Sequence, residues 1–124
     1  MEKDSFKRFN KHVKELYVSL LEIFPDEGII SAANLAFKIY KKFDKKGPCN
    51  YFYDTIICPY KKRIVERDMD FFAKGSIVFP YFEKGTARVQ MLWNSLSEPD
   101  KEAFWDHFNV LVHLGEVAMS SNNT

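Results

Sequence analysis

The sequence predicts an all-α fold, a single-domain bundle of five or six helices closed around an aromatic core. Three observations predict it. Apolar residues recur at intervals of three and four along most of the chain, the period of a helix with one buried side. Turn chemistry interrupts that period at Pro25-Asp26-Glu27-Gly28 and at Gly47-Pro48. Hydrophobic residues make up 46% of the 124, and twelve of them are Phe, which makes the core bulky and aromatic. A chain of this length folds as one domain and buries about two thirds of its unfolded surface without staples. The domain is read as residues 1–119, with the polar 120–124 as a frayed tail.

Each element has its own justification. The first helix is expected from Asp4 or Ser5 to Phe24, with Phe6, Phe9, Val13, Leu16, Tyr17, Leu20 and Phe24 on one stripe. Lys3, Lys7, Lys11 and Lys14 line another side, with Arg8 beside it. Basic amphipathic helices bind acidic membranes or nucleic acid, but Glu15 and Glu22 dilute this one, so it reads as a solvated face over a core stripe. The second helix runs from the Gly28 turn to about Asp44, with Ile30, Ala33, Phe37, Tyr40 and Phe43 facing inward. Ser31, Ala32, Ala33 and Ala36 are small enough to let a partner helix approach closely.

Residues 49–57, CNYFYDTII, are aromatic and β-branched enough for a strand, yet Phe52, Ile56 and Tyr60 keep helical spacing. The spacing predicts a helix kinked at Pro59. Beyond it Tyr60, Ile64 and Val65 point inward and Lys61, Lys62, Arg63 and Arg67 outward. Residues 73–85, with two glycines and Pro80, read as an ordered irregular loop pinned by Phe79, Tyr81 and Phe82. A helix over 86–95 offers Val89, Leu92 and Trp93 to the core, with Leu96 just beyond. The last helix, 98–118, is the most strongly specified. Ser97 and Asp100 form a capping box, and Glu98, Pro99, Asp100 and Glu102 suit the first turn. Phe104, Phe108, Leu111, Val112 and Gly115 then recur at helical spacing, with Trp105 widening the apolar side.

Composition excludes several classes. Two cysteines are too few for a disulfide scaffold and suit a reduced, intracellular setting. The apolar runs are short and interrupted by charge, which predicts no membrane insertion, and MEKDSFKRFNKHVKE lacks the apolar block of a signal peptide. Net charge is only +1 but uneven: residues 1–67 hold 14 Lys/Arg against 9 Asp/Glu, residues 68–124 hold 4 against 8. Either the two parts face each other or are separately solvated, or a basic face serves a polyanion, or copies of the chain associate head to tail.

No catalytic motif emerges. His12, His107 and His113 lie in expected helices outside any nucleophile arrangement, and His107 and His113 are about 240° apart around a helix. A zinc set of Cys49, Cys58, His107 and His113 has spacings too loose to preorganise a tetrahedral site. Glu66, Asp68 and Asp70 lack an EF-hand continuation, and no glycine loop cradles phosphate. The chain reads as non-enzymatic, with no cofactor and no metal. The candidate binding residues are two basic clusters, Lys41/Lys42/Lys45/Lys46 and Lys61/Lys62/Arg63/Arg67, with Tyr51, Tyr53 and Tyr60 between them to stack on bases. Nucleic-acid domains are usually more basic, with a pI above about 9, so a protein-docking surface or a solvated rim fits equally. Phe79, Tyr81 and Phe82 are candidates for partner docking.

A Phe-Pro ends the first helix, and the segments PYKKRIVERDMDFF and LW-x-SLS-x-x-DKEAFW-x-x-FNVLVHL follow. This order resembles that of small all-helical proteins of large nucleocytoplasmic DNA viruses, algal and asfarvirus-like members among them. The likeness covers most of the chain after Pro59 and consists of core and cap residues, so no functional residue transfers with it. The resemblance implies a viral protein of the host cytoplasm or the virion. The expected function is that of a non-enzymatic interaction or structural protein, self-associating or docking a protein partner. Its alternative is nucleic-acid association through 41–46 and 61–67.

Overall fold

The computed structural model describes residues 2–67 and 86–122, and every regular element in them is helical. The expectations for residues 73–85, including Phe79, Tyr81 and Phe82, lie outside the described residues, as do Asp68 and Asp70. Helix α1 (Glu2–Ile23) turns through Pro25 and Asp26 into α2 (Gly28–Phe43). A second turn leads into α3 (Gly47–Phe52), one wide π-helical turn (Tyr53–Ile57) and α4 (Cys58–Val65). Helix α5 (Thr86–Ser95) and the long α6 (Glu98–Asn122) complete the bundle.

The kink expected at Pro59 takes the form of that π turn. Proline has no N–H, and its ring collides with the carbonyl four residues back, here Thr55. Widening the turn before it relieves the clash. The Cys58 N–H reaches back five residues to the Tyr53 carbonyl. The Thr55 hydroxyl donates to the Tyr51 carbonyl at 2.6 Å.

Helix α1 packs most extensively on α6, and the α3–α4 rod lies against both. The core between them is aromatic, as expected. Phe9, Phe52, Phe108 and Phe104 follow one another with ring centroids 5.4, 5.6 and 5.0 Å apart. Trp93 of α5 joins this run edge-on to Phe104 at 5.5 Å and to Trp105 at 5.6 Å. Gly115 lets the π turn press close, because a Cβ there would stand 2.7 Å from the Ile57 Cδ1. Ser97 caps α6 by accepting the Asp100 N–H at 3.3 Å. That helix continues to Asn122, so Ser120 to Asn122 are helical where a frayed tail was expected; no Pro or Gly intervenes to stop it.

Three inward assignments are corrected. In α2, Ile30 and Phe37 are buried, but Tyr40 and Phe43 are exposed. Steps of three residues fall short of a full turn, so the series Phe37, Tyr40, Phe43 walks roughly 120° around the helix and out of the core. Val65 is also exposed, while Ile64 beside it is fully buried.

Candidate interaction surface

The second basic cluster sits on α4 and the turn that ends it, directly against the acidic outer side of α6. The Lys61 ammonium pairs with the Glu116 carboxylate at 2.7 Å. Arg67 reaches two carboxylates one helical turn apart, Glu102 at 2.6 Å and Asp106 at 2.5 Å. Its backbone is left-handed, φ 53°, at the residue following the α4 C-cap, a place where glycine is usual. The Arg67 N–H donates to the Ile64 carbonyl at 3.1 Å and closes the helix end in this conformation, and the two ion pairs add to it from the side chain. Asp106 foremost, as a hydrogen-bond acceptor, pushes the Arg67 pKa up. Basic and acidic parts of the chain therefore meet within one molecule at this seam.

The first cluster lies at the C-terminal end of α2 and the turn after it. Lys41 lies over the Phe37 ring at 5.3 Å, and Lys46 over Phe6 at 5.4 Å. The Asp44 carboxylate accepts the Lys46 N–H at 3.0 Å. The buried Asn10 donates to the Lys45 carbonyl at 2.9 Å and ties this turn to α1. Lys42, Lys45 and Lys46 are exposed residues. Of the tyrosines expected to stack on bases, Tyr53 and Tyr60 pack against the core.

The zinc set weighed and set aside on its spacing, Cys49, Cys58, His107 and His113, is not brought together among the described residues. Cys49 is fully buried and burial pushes its thiol up to about 11, whereas Cys58 and His113 are exposed. Among the described residues no group of three or more His, Cys, Asp or Glu is placed to hold a metal ion. His107 instead meets His12, 95 residues earlier, with Nδ1 and Nε2 3.1 Å apart. One ring must donate and the other accept. The Glu15 carboxylate 3.6 Å from the His12 Nδ1 favours the proton there, which leaves the His12 Nε2 as acceptor.

The feature that residue spacing alone did not assign is the outer face of α2. Leu35, Ile39 and Phe43 are 59%, 50% and 85% exposed, and Ala32 and Ala36 are exposed between them. At about 100° per residue these five, with Gly28, fall within an arc of roughly 100°, opposite the buried Ile30 and Phe37. Helix α2 is thus apolar on two opposite sides, and a helix apolar all round is normally covered all round. The signal was present as a second i, i+3, i+4 series, 32, 35, 36, 39 and 43, running beside the inward one. Beside the N-terminal end of α2 lies a shallow depression lined by Ile23, Phe24, Pro25, Met91 and Leu92. On its rim Arg88 grips Glu27, donating to its two carboxylate oxygens at 2.6 and 3.2 Å, and this contact holds the Glu27 carboxyl below the usual range.

No helix among the described residues is long and apolar enough to cross a membrane. Comparison with protein-family models, with characterised proteins and with solved structures finds no match.

Proposed function

We propose that this protein is a non-enzymatic interaction protein of viral type, acting in the host cytoplasm or the virion, whose contacts run through the outer face of α2. The observation that carries this reading is the contiguous exposed stripe of Leu35, Ile39 and Phe43. Exposed apolar patches of this kind mark interaction sites. Fully covering such a side chain contributes up to roughly 1.5–3 kcal/mol, before the costs of association. Nucleic-acid association is the weaker alternative, because Lys61 and Arg67 are engaged by Glu116, Glu102 and Asp106. Two of the three tyrosines it would stack on, Tyr53 and Tyr60, pack against the core.

The test is affinity capture of the tagged full chain from cells in which it is made, divided into nuclease-treated and untreated halves. A captured protein, a second copy included, should persist after nuclease and be lost with Ile39→Glu. It should be retained when Lys61, Lys62 and Arg63 are all changed to Glu. Loss of every partner on nuclease treatment, with retention that weakens steeply between about 50 and 200 mM salt, would transfer the function to the basic clusters.

A further inference from the structure

We infer that the occupant of this α2 face is a second copy of the chain, packed as an antiparallel α2–α2 pair about a two-fold axis. The inference deepens the interaction reading and rests on it. Three features of the face select this arrangement.

The first is steric. With the axis between Leu35 and Ala36, each large side chain meets a small one. Leu35 sits opposite Ala36, Ile39 opposite Ala32, and Phe43 opposite Gly28 of the second copy. Gly28 has open space around it, since a Cβ there would meet nothing within 4 Å. The highly exposed Phe43 ring therefore has room to lie over it, toward the depression that Ile23 and Met91 help to line. The stripe is self-complementary in this register, which an isologous contact requires.

The second is charge. A parallel pair would set Lys41, Lys42, Lys45 and Lys46 of both copies side by side. The antiparallel pair separates the two clusters by the length of α2, about 24 Å for sixteen residues. It also brings Lys45 level with the exposed Asp26 of the other copy. Glu27, which would otherwise face Asp44 there, is already held by Arg88.

The third is the dipole. Antiparallel helices place each negative C-terminal end beside a positive N-terminal one. A seam one helix long falls at the small end of specific interfaces, below about 1,200 Å² in total. The dimer should accordingly dissociate in the micromolar range.

Sedimentation equilibrium of the purified full chain should show monomer and dimer exchanging with a Kd of roughly 1–100 µM. Ile39→Glu should weaken the dimer by at least about tenfold, since it buries an unpaired charge. The native helical circular dichroism should persist, because residue 39 is half-exposed in the monomer. Register is read by oxidative cross-linking in a Cys58→Ser background. Leu35→Cys, beside the axis, should form an intermolecular disulfide. Ile39→Cys should not, because the two copies of residue 39 lie about 10 Å apart along the seam and a disulfide spans at most about 7 Å between Cα atoms. Equal cross-linking of both variants would overturn the antiparallel arrangement, and a dimer indifferent to Ile39→Glu would overturn the surface. A chain that stays monomeric above about 100 µM, yet captures another protein in an Ile39-dependent way, would overturn the second copy. That last outcome would leave the interaction reading standing.

Discussion

His12 and His107 share one contact and have room for one proton between them. Burial foremost, then the neighbouring His107, holds His12 below the ordinary imidazole range, against an opposing pull from Glu15. The unfolded chain therefore takes up this proton at a higher pH than the folded one. As pH falls from 7 through about 6.5 the unfolded state is favoured, and this contribution to stability is fully lost below the folded pKa. Protonation of His12 also turns its Nε2 from an acceptor into a donor facing the His107 Nδ1. Thermal unfolding at pH 7, 6 and 5 should show the melting temperature falling by a few degrees. His12→Gln, which keeps a polar partner but cannot charge, should remove part of that fall; an unchanged pH profile would show that His12 is not the titrating group. Nothing in the sequence pointed to this contact. Two histidines 95 positions apart carry no spacing that a local pattern can reveal, and only the packing of α1 on α6 brings them together.

At the scale of elements, local signals and packing divide the control of the fold. The helical period, the turns at 25–28 and 47–48 and the Ser97 cap all act within a few residues, and each was legible. The kink at Pro59 was legible too, because a missing N–H is a local fact. That the chain answers it with a π turn, and that Gly115 of α6 accommodates the turn, belongs to packing. Gly115→Ala gains about 1 kcal/mol of helix propensity but drives a methyl into the buried Ile57, an overpacking that costs about 1–3 kcal/mol. The variant should be less stable than the native chain in chemical denaturation. Ile57→Val removes the colliding Cδ1, so the double variant should be more stable than the two single changes predict when summed. Additive behaviour would mean that the close approach at Gly115 is not limiting. In α2 the inward and outward stripes have the same period and similar composition. Residue types alone could not separate them, and steps of three residues carry the series Phe37, Tyr40, Phe43 from the inward stripe to the outward one.

On the scale of the whole molecule, part of the charge imbalance seen along the chain is resolved within the fold, at the seam of α4 and α6, where Lys61 and Arg67 meet carboxylates. Arg67→Glu replaces two attractions by two repulsions and leaves a left-handed residue without its ion pairs. Its melting temperature should fall. Glu102→Lys together with Asp106→Lys should recover part of the loss in the Arg67→Glu background while lowering stability in the native one. A failure to recover would place the cost in the backbone alone. The sequence by itself determined the helical class, the positions of the turns and caps, and the aromatic character of the core. These follow from propensity and periodicity over short stretches. Only the tertiary structure decided which apolar stripe of α2 is buried, which cations are neutralised within the chain, and which histidines meet. Those outcomes depend on which elements become neighbours, and that is settled by packing between residues far apart in the chain.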